Sequence, residues 1–363
     1  MNLRIGAFGR QESAAMVLIA AFFGGCFGVD SHALYADGNA SYLVQIIATV
    51  QALLLFEGTV WLMRLRGGND LSALIGASRL KRLLAIPLVL ALLLAAMQPM
   101  ESFLLTMTQY VFTDAKQVTA CLYLLPSLFL LTAIGAETLV RTARILLPIL
   151  LLSIAAALLS GVGQYHLYRI HPIPFGEPIR IFTQAGSAQI RAAAPLLALL
   201  CVGEGTQDRM AMRSGGRIGA IAGGMTAAVA LFALSMTFTY TQLKDMPAPF
   251  YRMLVEVRAE NPTLRLDRAV LFLWFSGAIL SSAFYLYAAS VLFAKSFHVR
   301  DIRPVALCMS GIAVTLILVL YYDSKTTAAI LERLYRDAWV LISVPFPLIL
   351  LNPKRRKPCA VSH

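Results

Sequence analysis

The 363-residue sequence is 58% hydrophobic and 14% charged, with a mean hydropathy of +0.72 and a net charge of +12. An average soluble domain carries about 25% charged residues, and a water-soluble fold cannot hide this much apolar surface, whereas lipid tolerates it. The bias runs the whole length, which excludes an attached soluble module and predicts one polytopic membrane domain over residues 1–363. The basic residues sit mostly in short loops and in the tail Lys354-Arg355-Arg356-Lys357, so they predict topology and contact with the lipid bilayer, with no nucleic-acid partner.

A spanning helix needs about 20 mostly apolar residues. In chain order ten runs qualify: Ser13–Val29, Tyr42–Met63, Leu83–Phe112, Val118–Ala136, Ala143–Gly161, Ile190–Gln207, Ile218–Tyr240, Asp267–Ala294, Pro304–Tyr322 and Ala338–Leu351. No small-residue cleavage site follows the first run, which is expected to stay as a helix. With the N-terminus in the cytoplasm, 19 of the 31 lysines and arginines fall on the cytoplasmic side, which places both termini there. Two long connections then lie outside. Gly163–Gln189 carries Pro172, Pro174 and Pro178 and reads as an external loop or the cover of a cavity mouth. Thr241–Arg268 contains a short amphipathic stretch, Phe250 to Val257, ended by Asn261-Pro262.

Two runs are poor spans. The first is interrupted by Gly24-Gly25 and Gly28, with Asp30 following. In the sixth the apolar part, Ala192 to Val202, covers only about half a bilayer at ~1.5 Å per residue before Gly203-Glu204-Gly205. They hold corresponding positions if ten helices divide into halves of five, about 13–161 and 190–351. Paired interruptions of this kind point to a binding site, because unwound backbone in lipid must face protein, water or a ligand. Glycines also allow close helix packing, so Gly24 and Gly25 fit either role. Glu204 weighs toward function, since an intramembrane carboxylate is costly.

Further embedded polar groups are Glu57, Gln98 and Glu101. Pro99 removes a backbone donor and frees a carbonyl one turn earlier, which exposes backbone to a cavity beside Gln98 and Glu101. Glu57, two turns from Arg64, reads as a structural partner of a cytoplasmic arginine. Ser281 and Tyr285 share a face of the eighth run and serve either a ligand or helix stitching. The five cysteines, Cys26, Cys121, Cys201, Cys308 and Cys359, form no CxxC, and the histidines form no metal spacing. No nucleophile elbow, Walker sequence or haem motif is present, so neither an enzyme nor a cofactor is expected.

The eighth run, LRLDRAVLFLWFSGAILSSAFYLYAASVLFAK, resembles the signature of the spore-germination permease family, the B subunits of germinant receptors. Arg265-Leu266-Asp267, Phe272, Trp274 and Leu286-Tyr287-Ala288 carry the likeness. Gly9-Arg10-Gln11, Ala136-Glu137-Thr138-Leu139-Val140-Arg141 with Pro148, and Gly203-Glu204 add to it. The resemblance implies an all-α integral membrane fold of ten helices in two inverted five-helix repeats (LeuT-like, within the amino acid/polyamine/organocation superfamily), with helices 1 and 6 broken. It implies a place in the spore inner membrane or cell membrane, partnership with germinant receptor A and C subunits, and sensing of a small nutrient such as an amino acid. Carried over by helix position, the ligand site falls on Gly24, Gly25, Gln98, Glu101, Gly203, Glu204 and Ser281, of which only Gly203-Glu204 matches a motif. One departure is that Gly24-Gly25-Cys26-Phe27-Gly28 is not followed by the family's usual proline.

Overall fold

The computed structural model describes residues 8–27, 34, 37–66, 71, 75, 79–111, 117–171, 178–206, 208–243, 246, 248–260, 266–322 and 337. Among them the long helices are α1 (Arg10–Cys26), α2 (Ser41–Arg66), α3 (Arg79–Thr106), α4 (Gln117–Ile134), α5 (Ala136–Ser160), α6 (Pro178–Cys201), α7 (Arg209–Thr237), α8 (Leu266–Phe297) and α9 (Ile302–Tyr322). They correspond to nine of the ten expected runs. The tenth run and the basic tail lie outside the described residues. By length and composition six segments are able to cross a membrane: Gly38–Arg64, Leu83–Val111, Ala136–Gln164, Arg209–Thr237, Ala269–Phe297 and Ile302–Val319. The chain is an integral membrane protein.

Many large apolar side chains face outward, as lipid allows. On α5, Ile145, Leu152 and Leu159 recur every two turns and are 73%, 72% and 71% exposed, while Leu139, Val140, Leu150 and Ile154 are buried on the other face. Gly135, at φ 103°, makes the reversal between α4 and α5. That φ strains any residue with a Cβ.

Helix α1 packs most extensively on α7, and glycines set how closely they approach. A Cβ at Gly215, Gly219 or Gly223 of α7 would meet the carbonyl oxygens of Arg10, Ala14 and Leu18 of α1 at 2.8, 2.6 and 2.6 Å. Three glycines at four-residue spacing thus form a groove that seats α1 backbone against backbone. The neighbouring face of α7 receives α2, with Gly216 against Phe56 and Gly224 against Thr49. Elsewhere α2 packs on α6, α3 on α8, and α4 on α9. Below α1, the Phe8 backbone N–H donates to the Gly205 carbonyl at 2.9 Å, which ties the start of the chain to the turn after α6.

Two expectations about the interrupted spans are corrected. Helix α6 is not half a bilayer long. It begins at Pro178 and has 24 residues, about 36 Å, because the polar stretch read as an external loop folds as its first half. Gly203–Gly205 forms a 3-10 turn at the end of this full-length helix. Helix α1 is continuous through Gly24 and Gly25 to Cys26, and both glycines lie at close contacts instead of a break. Gly28 and Asp30 lie outside the described residues. The short amphipathic stretch is a helix, Pro249–Glu260; it lays Phe250, Tyr251, Met253 and Leu254 onto the bundle.

Candidate functional site

Proline shapes the middle of α6. Pro195 lacks the N–H that would bond the carbonyl of Arg191 four residues earlier. That carbonyl is the atom α1 approaches: a Cβ on Gly24 would stand 3.2 Å from Arg191 O and 3.8 Å from the Tyr285 hydroxyl. Tyr285, on α8, donates to the Ala20 carbonyl of α1 at 3.2 Å. One turn of α8 away, Ser282 donates to the Ala96 carbonyl of α3 at 2.7 Å, three residues before Pro99 within that helix. Helices α1, α3, α6 and α8 therefore converge through backbone carbonyls and two hydroxyls.

The expected residues divide around this point. Gly24 lies in it, and Gln98 is buried on α3 beside Pro99, with Glu101 partly buried one turn further. Ser281 is buried on α8, but its hydroxyl donates to the Ala278 carbonyl of its own helix at 2.8 Å. Gly25 faces away from α6, with its missing Cβ between Ala227 of α7 at 2.8 Å and the Gln45 amide nitrogen of α2 at 2.9 Å. Gly203 and Glu204 sit apart, at the end of α6, where the exposed Glu204 carboxylate pairs with Lys295 at 2.7 Å. Glu57 is structural as expected, but its partners are Arg213 and Arg217 of α7, at 2.5 and 3.1 Å, instead of Arg64.

Sequence reasoning missed two buried polar residues, one on α6 and one on α2 outside the four-helix point. Arg191 is buried in the middle of α6; its position at the edge of the apolar run hid it. Gln45 is 2% exposed, and neither end of its side-chain amide has a hydrogen-bond partner among the described residues. A polar residue in the first turns of the second run was the available signal.

Two groups of contacts flank this point. Toward the α1 C-terminus, the Phe27 ring lies 4.8 Å from Phe103, 5.2 Å from Trp274, 5.4 Å from Phe23 and 5.5 Å from Phe250 of the short helix, centroid to centroid. At the other end stand the Glu204–Lys295 pair and the Phe8–Gly205 bond. Backbone carbonyl acceptors and two hydroxyls thus meet at the convergence of α1, α3, α6 and α8. No cluster of three or more His, Cys, Asp or Glu side chains is placed to hold a metal ion among the described residues.

Comparison with known proteins agrees with this architecture. The profile of the spore permease family, described as spore germination protein, matches residues 42–328. The chain belongs to that family. No curated protein matches it in sequence. Among solved structures it is similar to the Eremococcus coleocola manganese transporter in complex with an aromatic bis-isothiourea substituted compound. The TM-score is 0.62 at 16% identity, over 94% of this chain and 78% of that one. A mutant of the same transporter gives a TM-score of 0.62 at 17% identity, over the same shares. At this identity the likeness shows a shared fold.

Proposed function

We propose that this member of the spore germination family is the nutrient-sensing membrane subunit of a germinant receptor. It binds a small nutrient such as an amino acid between α1, α3, α6 and α8 and triggers germination. The observation that carries this reading is the convergence at Gly24, where the carbonyl freed by Pro195 and the Tyr285 hydroxyl face one point. Germinant receptor A and C subunits are its partners, its membrane is the spore inner membrane, and both termini are cytoplasmic.

Ten helices in two inverted repeats, about 13–161 and 190–351, complete the reading. The packing supports it: α1 on α7 mirrors α6 on α2, while α3–α8 and α4–α9 each join helices five apart in order.

The test is germination of spores carrying wild type, Gly24→Ala or Tyr285→Phe, scanned over amino acids and sugars with protein levels in the spore membrane checked. Tyr285→Phe keeps the ring and deletes the bond to Ala20. A nutrient dose response shifted at least tenfold is expected. An unchanged response in both variants overturns the reading.

The fold shared with a transporter favours a second reading, an autonomous proton- or sodium-coupled amino-acid transporter. Vesicles containing the chain alone would then accumulate an amino acid under an imposed proton or sodium gradient. Absence of uptake across the amino acids removes this alternative.

A further inference from the structure

Helices α2 and α7 lie antiparallel: Tyr42 packs on Phe232 at one end, Thr49 on Gly224 and Phe56 on Gly216 in the middle, and Arg64 reaches Met210 at the other end. At that last end three guanidiniums share one carboxylate. Arg213 holds Glu57 at 2.5 Å, with a hydrogen bond from Nε at 2.7 Å. Arg217 stands 3.1 Å from the other oxygen, Oε1, which accepts no hydrogen bond among the described residues. Arg64 donates to the Met210 thioether at 3.2 Å, a weak acceptor that carries no charge. The cluster keeps an excess of two positive charges, and Asp208 and Arg209 beside it add one charge of each sign. The span that starts at Arg209 has 29 residues. That is about 43 Å against a hydrocarbon core of about 30 Å, so its first turns stand at headgroup depth. Trp61 is 59% exposed one turn before Arg64. Leu54 and Val50 continue its face, and Ile221 and Met225 are exposed one and two turns beyond Arg217. Gly58 leaves that face open between Leu54 and Trp61, with nothing within 4 Å of its Cβ position.

We propose that this seam between α2 and α7 binds an anionic phospholipid. The headgroup takes the N–H donors of Arg64 and Arg217, and an acyl chain lies along Leu54, Val50, Ile221 and Met225. The site is separate from the nutrient site and does not depend on it. A guanidinium fork matches two phosphate oxygens, and basic pockets between transmembrane helices suit anionic headgroups. Trp61 sets its amphipathic ring at the boundary between the charged and apolar halves of the seam, where lipid changes from headgroup to chain. Charge selects the lipid. A zwitterionic phospholipid brings its own ammonium, which the excess of two cations repels; a phosphatidylglycerol headgroup brings net negative charge. A free phosphate satisfies the arginines but leaves the apolar half of the seam unused.

The experiment uses the full chain in detergent, titrated separately with phosphatidylglycerol, phosphatidylcholine and inorganic phosphate. Native mass spectrometry counts the lipid retained, and thermal unfolding reads stabilisation. The wild type is expected to retain phosphatidylglycerol about tenfold more tightly than phosphatidylcholine and to be stabilised by it saturably. Inorganic phosphate is expected to give no stabilisation at the same concentration. Arg64→Gln breaks no ion pair among the described residues, so it is expected to fold as the wild type does and to weaken retention about fivefold, the worth of one basic residue at an anionic surface. Arg217→Gln is expected to do the same, and Arg64→Lys to lose only about twofold. Size-exclusion profiles establish that each variant folds. Arg303, exposed at the start of α9, is the control: Arg303→Gln is expected to leave retention unchanged. Equal retention of the two lipids, or an equal loss in Arg303→Gln and Arg64→Gln, overturns the proposal. Stabilisation by inorganic phosphate as large as by phosphatidylglycerol overturns it in favour of a soluble anion.

Discussion

Lys295 reaches Glu204 at 2.7 Å and so ties the last turn of α8 to the turn that follows α6. The two partners are unequally placed: the lysine side chain is 11% exposed, the carboxylate 43%. A solvated carboxylate that loses its partner is rehydrated at small cost, about 1 kcal/mol or less. A sheltered ammonium is not. Glu204→Gln is therefore expected to lower the unfolding temperature more than Lys295→Gln. A double-mutant cycle by differential scanning fluorimetry checks it, and equal losses would mean that the pair is effectively at the surface.

The glycine groove of α7 gives a sharper contrast. A side chain at Gly219 meets a backbone oxygen of α1 at 2.6 Å, and backbone cannot swing aside as a side-chain tip does. Gly219→Val is expected to cost more than about 3 kcal/mol, the scale of severe overpacking, and to abolish the monodisperse peak in detergent. Gly58 on α2 has nothing within 4 Å of its Cβ position. Gly58→Ala is expected to leave the peak unchanged or to stabilise the helix by up to about 1 kcal/mol.

That groove was not readable in advance, and the reason is general to what one sequence carries. Apolar length announced α2, α3, α5, α7, α8 and α9, since lipid imposes the same demand on each of them. Phe250 and Leu254, spaced by one turn, announced the short helix. Contacts between helices have no such one-dimensional mark. Gly24-Gly25 and Gly215–Gly223 look alike as letters, and only the α1–α7 packing shows that Gly25 belongs with the second group. Helix α6 was hidden for another reason. Its first half is polar, with Gln184 and Gln189, because much of it packs against protein instead of lipid. The site was therefore half legible: Gly24, Gln98 and the serine face of α8 were visible, Arg191 was not, and Glu204 was placed too deep.

Gln45 tests whether a buried polar group serves a ligand or is tolerated. Its amide has no partner among the described residues, and an unsatisfied buried amide costs about 1–3 kcal/mol. Leucine has nearly the same volume and nothing to satisfy. Gln45→Leu is expected to raise the unfolding temperature of the ligand-free protein. If the nutrient response is then lost, the amide meets ligand; if stability falls instead, the amide holds a structural bond and the expectation is wrong.

Pro195 joins the fold to the chemistry most directly. Within a helix interior proline is about 3 kcal/mol less favourable than alanine, yet it stands in α6 one turn beyond Arg191. Pro195→Ala restores the N–H that Arg191 O lacks. The carbonyl is expected to be drawn back into its own ladder and away from Gly24. Stability should then hold or rise, while the nutrient dose response weakens about tenfold or more. The opposite pairing, an unaltered response with lower stability, would mean that Pro195 serves the packing of α6 on α1 and α2 and that the freed carbonyl has no part in binding. Measuring the unfolding temperature and the germination response on the same variant separates the two, because ligand recognition predicts a weakened response with stability held or raised, and packing an unaltered response with stability lowered.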